Sequence, residues 1–351
     1  MYMNSAKKLL VLASAALMLA SCEKEKMMDG PGNLVPRTAD HDRTISSITV
    51  NGAVLHSEAF GHRDSSMIVC LHGGPGNDYR YILNYKDLAD HGYRVVFYDQ
   101  RGSGLSQRFP SKFYTDKGIG AIDLFYDDLS GVIAHYRTSP KQKVFLLGHS
   151  WGAMLATGYV GKNPAAVQGL IVSEPGGLKW DDIKEYVKES SSFALWRELF
   201  NDVTFLDQFI SGKEDQHEIL DYKHGMIAAK NDLTGDNTAE TSVFWRAGAV
   251  VSTAFLEIGK SYEPDFSSGI KQFKTPVLFF YSSENEAYPA SWVERISGAY
   301  HSVNRHKITG VGHRGIVATR SAWRGQTMPK ILSYLSSLNK YSTKNISNEK
   351  Q

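Results

Sequence analysis

Cysteine is almost missing from this chain: Cys22 and Cys70 are the only two in 351 residues. A multi-bridge disulfide scaffold is therefore excluded. Cys70, inside the apolar run SMIVCLH, reads as a small core residue. An excess of charge of one sign is missing too, with Lys plus Arg at 39 and Asp plus Glu at 37. Without a basic face, nucleic acid is not suggested as a partner. No internal repeat is visible, and beyond residue 21 no apolar run approaches the about 20 residues a bilayer span requires. Apolar residues are not scarce, at 42% against 22% charged. A sizeable core can form, and the length suits one large domain or two small ones.

The first residues follow a different rule. Lys7 and Lys8 precede LLVLASAALMLA, which ends at Ser21-Cys22. A charged start, a short apolar middle and small residues at the end make a secretory signal. LASC, Leu19 to Cys22, resembles the lipobox of bacterial lipoproteins. That resemblance implies cleavage before Cys22, lipid on its sulfur and a lipid-anchored place in the bacterial cell envelope, facing the periplasm or the outside. Loss of Lys7 and Lys8 then lowers Lys plus Arg from 39 to 37, equal to Asp plus Glu. Residues 22–43 carry Gly30, Pro31, Gly32 and Pro36 and read as a flexible tether; 341–351, rich in Ser, Lys and Asn, read as a flexible tail.

Between them the pattern is α/β. TISSITVNGAVLHSEAFG alternates around Asn51-Gly52, a hairpin signal. MIVCL (67–71), YRVVFY (93–98), KVFLLG (143–148), GLIVS (169–173) and PVLFFYS (276–282) are continuous apolar runs of strand length, as in a sheet buried on both faces. Helical patterns at 121–137, 151–163 and 321–338 alternate with them, which predicts a mostly parallel sheet covered by helices. Residues 178–265 break that rhythm with aromatic and charged amphipathic stretches and read as an inserted helical cap. The core is then 44–177 and 266–340.

GHSWG, at Gly148 to Gly152, fits G-x-S-x-G between a buried strand and a helix. A nucleophilic serine needs a sharp turn there, and only glycine leaves room where the chain folds back. Ser150 is the candidate nucleophile. CLHGGPG places His72, Gly73, Gly74, Pro75 and Gly76 after another strand. Such a loop supplies one backbone N–H to an oxyanion, here from Gly74, and Trp151, next to the nucleophile, supplies the second. Asp99 and Arg101, in YDQRGSGLS, are expected to brace that loop.

HGGPG, DQRGSG and GHSWG, in this order, resemble the prolyl iminopeptidase family of α/β-hydrolases. The resemblance runs over about residues 45 to 340 and is weakest in the cap. It implies an eight-stranded sheet, a helical cap, no metal, no cofactor, and removal of an N-terminal residue, often proline, from peptides. Chain order Ser, acid, His points to His313 in ITGVGHRGI as the base. His72 reads as an ordering residue, and His149 stands too close to Ser150 on the turn to act on it.

The acid is less plain. Aligned with the family strand, Asn285 in SSENEAYP takes the place of the expected aspartate, 28 residues before His313. An amide cannot stabilise an imidazolium by charge. Glu174, at the end of GLIVS, is the first candidate to replace it, because strand ends at one edge of a parallel sheet converge; Asn285 would be a neutral hydrogen-bond partner. Glu286 and Glu284 are the alternatives. The substrate stays open: a small peptide losing its N-terminal residue, or a small acyl compound cleaved by an esterase or amidase. A third reading is a ligand-binding lipoprotein without activity. Asp181, Asp182, Glu185, Glu198, Asp202, Glu240 and Glu257 could hold a free amine, but none aligns by spacing. Arg246 in FWRAG departs from the family pattern. Oligomeric state is not legible.

Overall fold

The computed structural model describes residues 34–190, 216–228 and 244–348. Cys22, the signal before it and most of the tether lie outside these residues, as do Glu198, Asp202 and Glu240 of the insertion.

Eight strands form one sheet: β1 (Ser47–Val50), β2 (Ala53–Phe60), β3 (Met67–Leu71), β4 (Arg94–Tyr98), β5 (Val144–His149), β6 (Gly169–Ser173), β7 (Val277–Ser282) and β8 (Val303–Ile308). Their order is β1-β2-β4-β3-β5-β6-β7-β8. β2 runs antiparallel to β1 and β4, and every other pair is parallel. Asn51 (φ 46°) and Gly52 (φ 73°) link the paired residues Val50 and Ala53, the positive-φ turn a two-residue hairpin demands. This is an α/β-hydrolase fold.

β3, β5 and β6 are buried along their whole length, so their sequences are continuous rather than alternating. Successive side chains still face opposite ways. Met67, Val69 and Leu71 join a core with helices α1 (Gly120–Tyr136) and α2 (Trp151–Lys162). Between β6 and β7 lie α3 (Trp180–Glu189), α4 (Gln216–Ala228) and α5 (Ala249–Tyr262). The insertion closes on itself at its base: Lys179 bridges Asp265, and Phe266 N donates to Leu178 O at 2.7 Å. α6 (Ala290–Ser297) follows β7, and α7 (Met328–Asn348) ends the described chain, running past Tyr341. Ser, Lys and Asn are only mildly unfavourable in a solvated helix, so they do not stop it where a tail is expected. On the second face of the sheet, Ile68, Cys70, Leu147, Ile171 and Phe280 pack with the 3₁₀ stretch Arg80–His91 and with α7.

β8 reads VNRHKI and alternates poorly because it is the sheet's edge, with exposed Asn304, Arg305 and Lys307. Polar and cationic side chains blunt such an edge. The register then places the site. Leu71 pairs with Gly148, His149 with Ser173, Ser173 with Phe280 and Ser282 with Ile308. Five parallel strands therefore end at one rim, and the loops that begin at His72, Ser150, Glu174, Ser283 and Thr309 leave from it.

Candidate active site

Ser150 sits between β5 and α2 with φ 56° and ψ −124°. A non-glycine residue there costs on the order of 1–3 kcal/mol and persists only where the surroundings impose it. The surroundings are backbone. Ser150 N donates to Ser173 O at 2.9 Å, and Ser150 O accepts from Ala153 N at 2.9 Å. A Cβ on Gly148 would stand 2.4 Å from Gly152 O, and one on Gly152 would stand 2.2 Å from Leu71 O. Both glycines of the motif are thus required by contact. Trp151 begins α2, whose first N–H groups have no partner inside the helix.

The glycine loop wraps toward this turn. Gly73 N donates to the Tyr81 hydroxyl at 2.6 Å, and Gly74 follows with φ 128°. His72 orders the loop as expected: its Nδ1 meets Gly73 O at 2.7 Å, and its Nε2 accepts from Gln100 N at 3.0 Å. Gln100 also accepts from Trp151 Nε1 at 2.8 Å and donates to His72 O at 2.9 Å, so one amide joins the loop to the start of α2. Asp99 accepts from Tyr79 N at 2.9 Å and Leu105 N at 2.8 Å, just beyond the loop. Arg101 does not brace the loop. It pairs with Asp128 of α1 and donates to Asn51 O, fastening the hairpin to the helix.

At the far side of the rim stands a buried carboxylate. Glu174 follows β6 with φ 40° and is fully buried. Its Oε1 accepts from Ser282 N and Ser282 Oγ, both at 2.6 Å. Its Oε2 lies 2.7 Å from His313 Nδ1 and accepts from Asn285 Nδ2 at 2.8 Å. Burial alone would push the carboxyl up, but His313 and Ser282 outweigh it and hold its pKa below the ordinary value. The carboxylate is therefore ionised against the imidazole. Glu286 and Glu284, the alternative acids, are both exposed on the loop after β7, and the carboxylate that meets His313 is that of Glu174. Glu284 instead accepts from Ser283 Oγ at 2.6 Å. Neighbours on an extended loop alternate in direction, and the one turned inward is Asn285.

Several neighbours had no signal in the sequence. The Tyr186 hydroxyl of α3 lies 3.3 Å from His313 Nδ1 and accepts from Asn285 Nδ2 at 3.3 Å. Ser282, Gln100 and Tyr81 likewise bind backbone or side chains that only the fold brings near. Arg246 is not part of the cavity wall: with Arg108 it pairs with buried Asp221 of α4, at 2.7 and 2.9 Å, and it donates to Pro36 O at 2.9 Å.

Ser150, Gly74, Trp151 and His313 line one cavity of about 290 Å³ between rim and insertion. Its wall is largely apolar, with Ile122, Met154, Trp180, Phe255, Ile258 and Phe266. Among the described residues no carboxylate lines it. No group of three or more His, Cys, Asp or Glu side chains suited to a metal ion occurs among the described residues.

Residues 62–306 match the family model described as serine aminopeptidase, S33. The proline iminopeptidase of Thermoplasma volcanium is 38% identical over 116 residues, 33% of this chain and 36% of that protein. The alignment thus spans little more than a third of that relative. The proline iminopeptidase of Heyndrickxia coagulans is 26% identical over 270 residues, 70% of this chain and 84% of the relative. The solved enol-lactonase from Burkholderia xenovorans LB400 shares the fold, with TM-score 0.55 and 15% identity over 83% of this chain and 100% of that one. The chain belongs to the serine aminopeptidase, S33 family of α/β-hydrolases.

Proposed function

We propose that this member of the serine aminopeptidase, S33 family is a serine hydrolase that removes an apolar N-terminal residue, proline among them, from short peptides through an acyl-enzyme on Ser150. The observation that carries it is the 2.7 Å contact between Glu174 Oε2 and His313 Nδ1, on the cavity that also holds Ser150. In this reading Glu174 binds Nδ1–H, leaving Nε2 to take the Ser150 proton as Oγ attacks the acyl carbon. The N–H groups of Gly74 and Trp151 receive the oxyanion. His313 then protonates the leaving amine, and water, activated by the same imidazole, releases the acyl group. Asn285 donates to Glu174 without adding a second charge.

A second reading, an esterase or amidase of small apolar acyl compounds, is favoured by the cavity wall, where no described carboxylate stands to bind a free amine. Turnover of proline 4-nitroanilide against 4-nitrophenyl butyrate separates the two. The peptidase reading expects the anilide to have the higher kcat/KM; hydrolysis of the ester alone supports the second. Ser150→Ala abolishes either activity, and residual wild-type turnover in that variant contradicts both. Anchorage through lipid on Cys22 in a bacterial envelope is part of the proposal and rests on LASC and the run before it.

A further inference from the structure

We propose that His149 is a positioning residue of this reaction: a neutral imidazole that ties the oxyanion loop, through Tyr81, to the loop carrying the base. The proposal rests on the reading of Ser150 as nucleophile. The donor directions follow from the carbonyl at one end of the bridge. A backbone N–H only donates, so the Tyr81 hydroxyl accepts from Gly73 N at 2.6 Å. The hydroxyl lies 2.8 Å from His149 Nδ1, which in a ring protonated at Nε2 can only accept. At the other end His149 Nε2 lies 2.9 Å from His313 O, and a carbonyl only accepts. Nε2 therefore carries the proton and Nδ1 does not.

The loops so joined are those after β3 and β8, and His149 itself is the chain neighbour of Ser150. One side chain thus sets the oxyanion donors, the hydroxyl and the imidazole relative to each other. Charge must be kept out of this bridge. The rings of His149 and His313 lie 4.5 Å apart, so a cation at 149 would oppose the imidazolium formed when His313 takes a proton. Burial, then the charges of His313 and Arg314, hold His149 well below the ordinary histidine range. Tyr81 packs edge-on against both His149 and Phe244, which keeps its hydroxyl aimed.

The test combines 15N-histidine NMR of the whole protein with kinetics of four variants. The bridge expects His149 to hold the Nε2–H tautomer, without titrating, across the pH window in which an ordinary histidine changes charge. Tyr81→Phe and His149→Phe each lose on the order of 10²-fold in kcat, the scale of a mis-set oxyanion donor, with KM nearly unchanged. His149→Gln, whose amide can both accept from Tyr81 and donate to His313 O, keeps kcat within about tenfold. The double variant Tyr81→Phe/His149→Phe falls no further than the worse single one, because the pair acts as a unit. A protonated Nδ1, titration inside that window, full kcat in Tyr81→Phe, or a Gln variant as impaired as the Phe variant overturns the proposal. Wild-type turnover in Ser150→Ala would instead overturn the underlying reaction, and the NMR result stands apart from it.

Discussion

Glu174 satisfies four donors at once, from Ser282 N, Ser282 Oγ, Asn285 and His313. A group so engaged is sensitive in two properties, its charge and its accept-only oxygens. Glu174→Gln keeps the volume, removes the charge and turns an NH2 toward donors, and kcat is expected to fall by about 10⁴, as when a triad aspartate becomes an amide. Glu286→Gln, on the exposed side of the loop, leaves kcat unchanged. The depressed pKa also fixes a sign. Its stabilisation is present above the ordinary carboxylate value and is lost as pH falls below it. The Tm gap between wild type and Glu174→Gln is therefore widest near neutrality and closes in acid. Asn285→Asp would set a second carboxylate against Glu174 Oε2, now 2.8 Å from the amide nitrogen. Like charges that close cannot both ionise, so the variant loses stability more at pH 8 than at pH 5, read by Tm at the two values. Ser150, His313 and Glu174 could be nominated from the sequence because motif, chain order and strand ends each constrain one of them. Tyr186, Gln100 and Ser282 could not, because hydrogen bonds between residues 28 to 127 apart leave no local pattern.

Elements hold these residues through a few close contacts. The elbow depends on α2 pressing its first turn against β3. A methyl group on Gly152, 2.2 Å from Leu71 O, meets backbone that cannot yield. Gly152→Ala is expected to cost at least the about 1–3 kcal/mol of overpacking, measured by urea unfolding, and to abolish turnover. The insertion is fastened at Asp221, which binds Arg108, Arg246 and Ala249 N, the last at 2.9 Å. Asp221→Ala removes the one carboxylate that both buried guanidinium groups pair with, a loss of about 3–5 kcal/mol, seen as a lowered Tm. Asp78 joins the glycine loop to the segment before α5, accepting from Trp245 N and Arg246 N. Burial and the nearby Asp99 push its pKa up to about 8. The folded state then holds a proton that the unfolded chain has released, so stability falls as pH rises toward that value. Tm measured upward from neutral pH declines, and Asp78→Asn flattens the decline.

Across the whole molecule, the continuous apolar runs and the Asn51-Gly52 turn were enough for the sheet, because burial on both faces leaves no ambiguity about where such strands lie. β8 was nearly silent, since an edge strand owes its place to pairing with β7 rather than to its own apolarity. The insertion could be bounded but not resolved, as amphipathic helices name no partner in their own sequence. What the molecule achieves is convergence: five parallel strands deliver a hydroxyl, an imidazole and a carboxylate to one rim from residues 150, 313 and 174. Phosphonylation of the protein by a fluorophosphonate, followed by intact mass and peptide mapping, tests that convergence most directly. One adduct is expected, on Ser150, formed on the order of 10³-fold more slowly in Glu174→Gln and at the wild-type rate in Glu286→Gln. An unlabelled Ser150, or equal rates in wild type and Glu174→Gln, would contradict it.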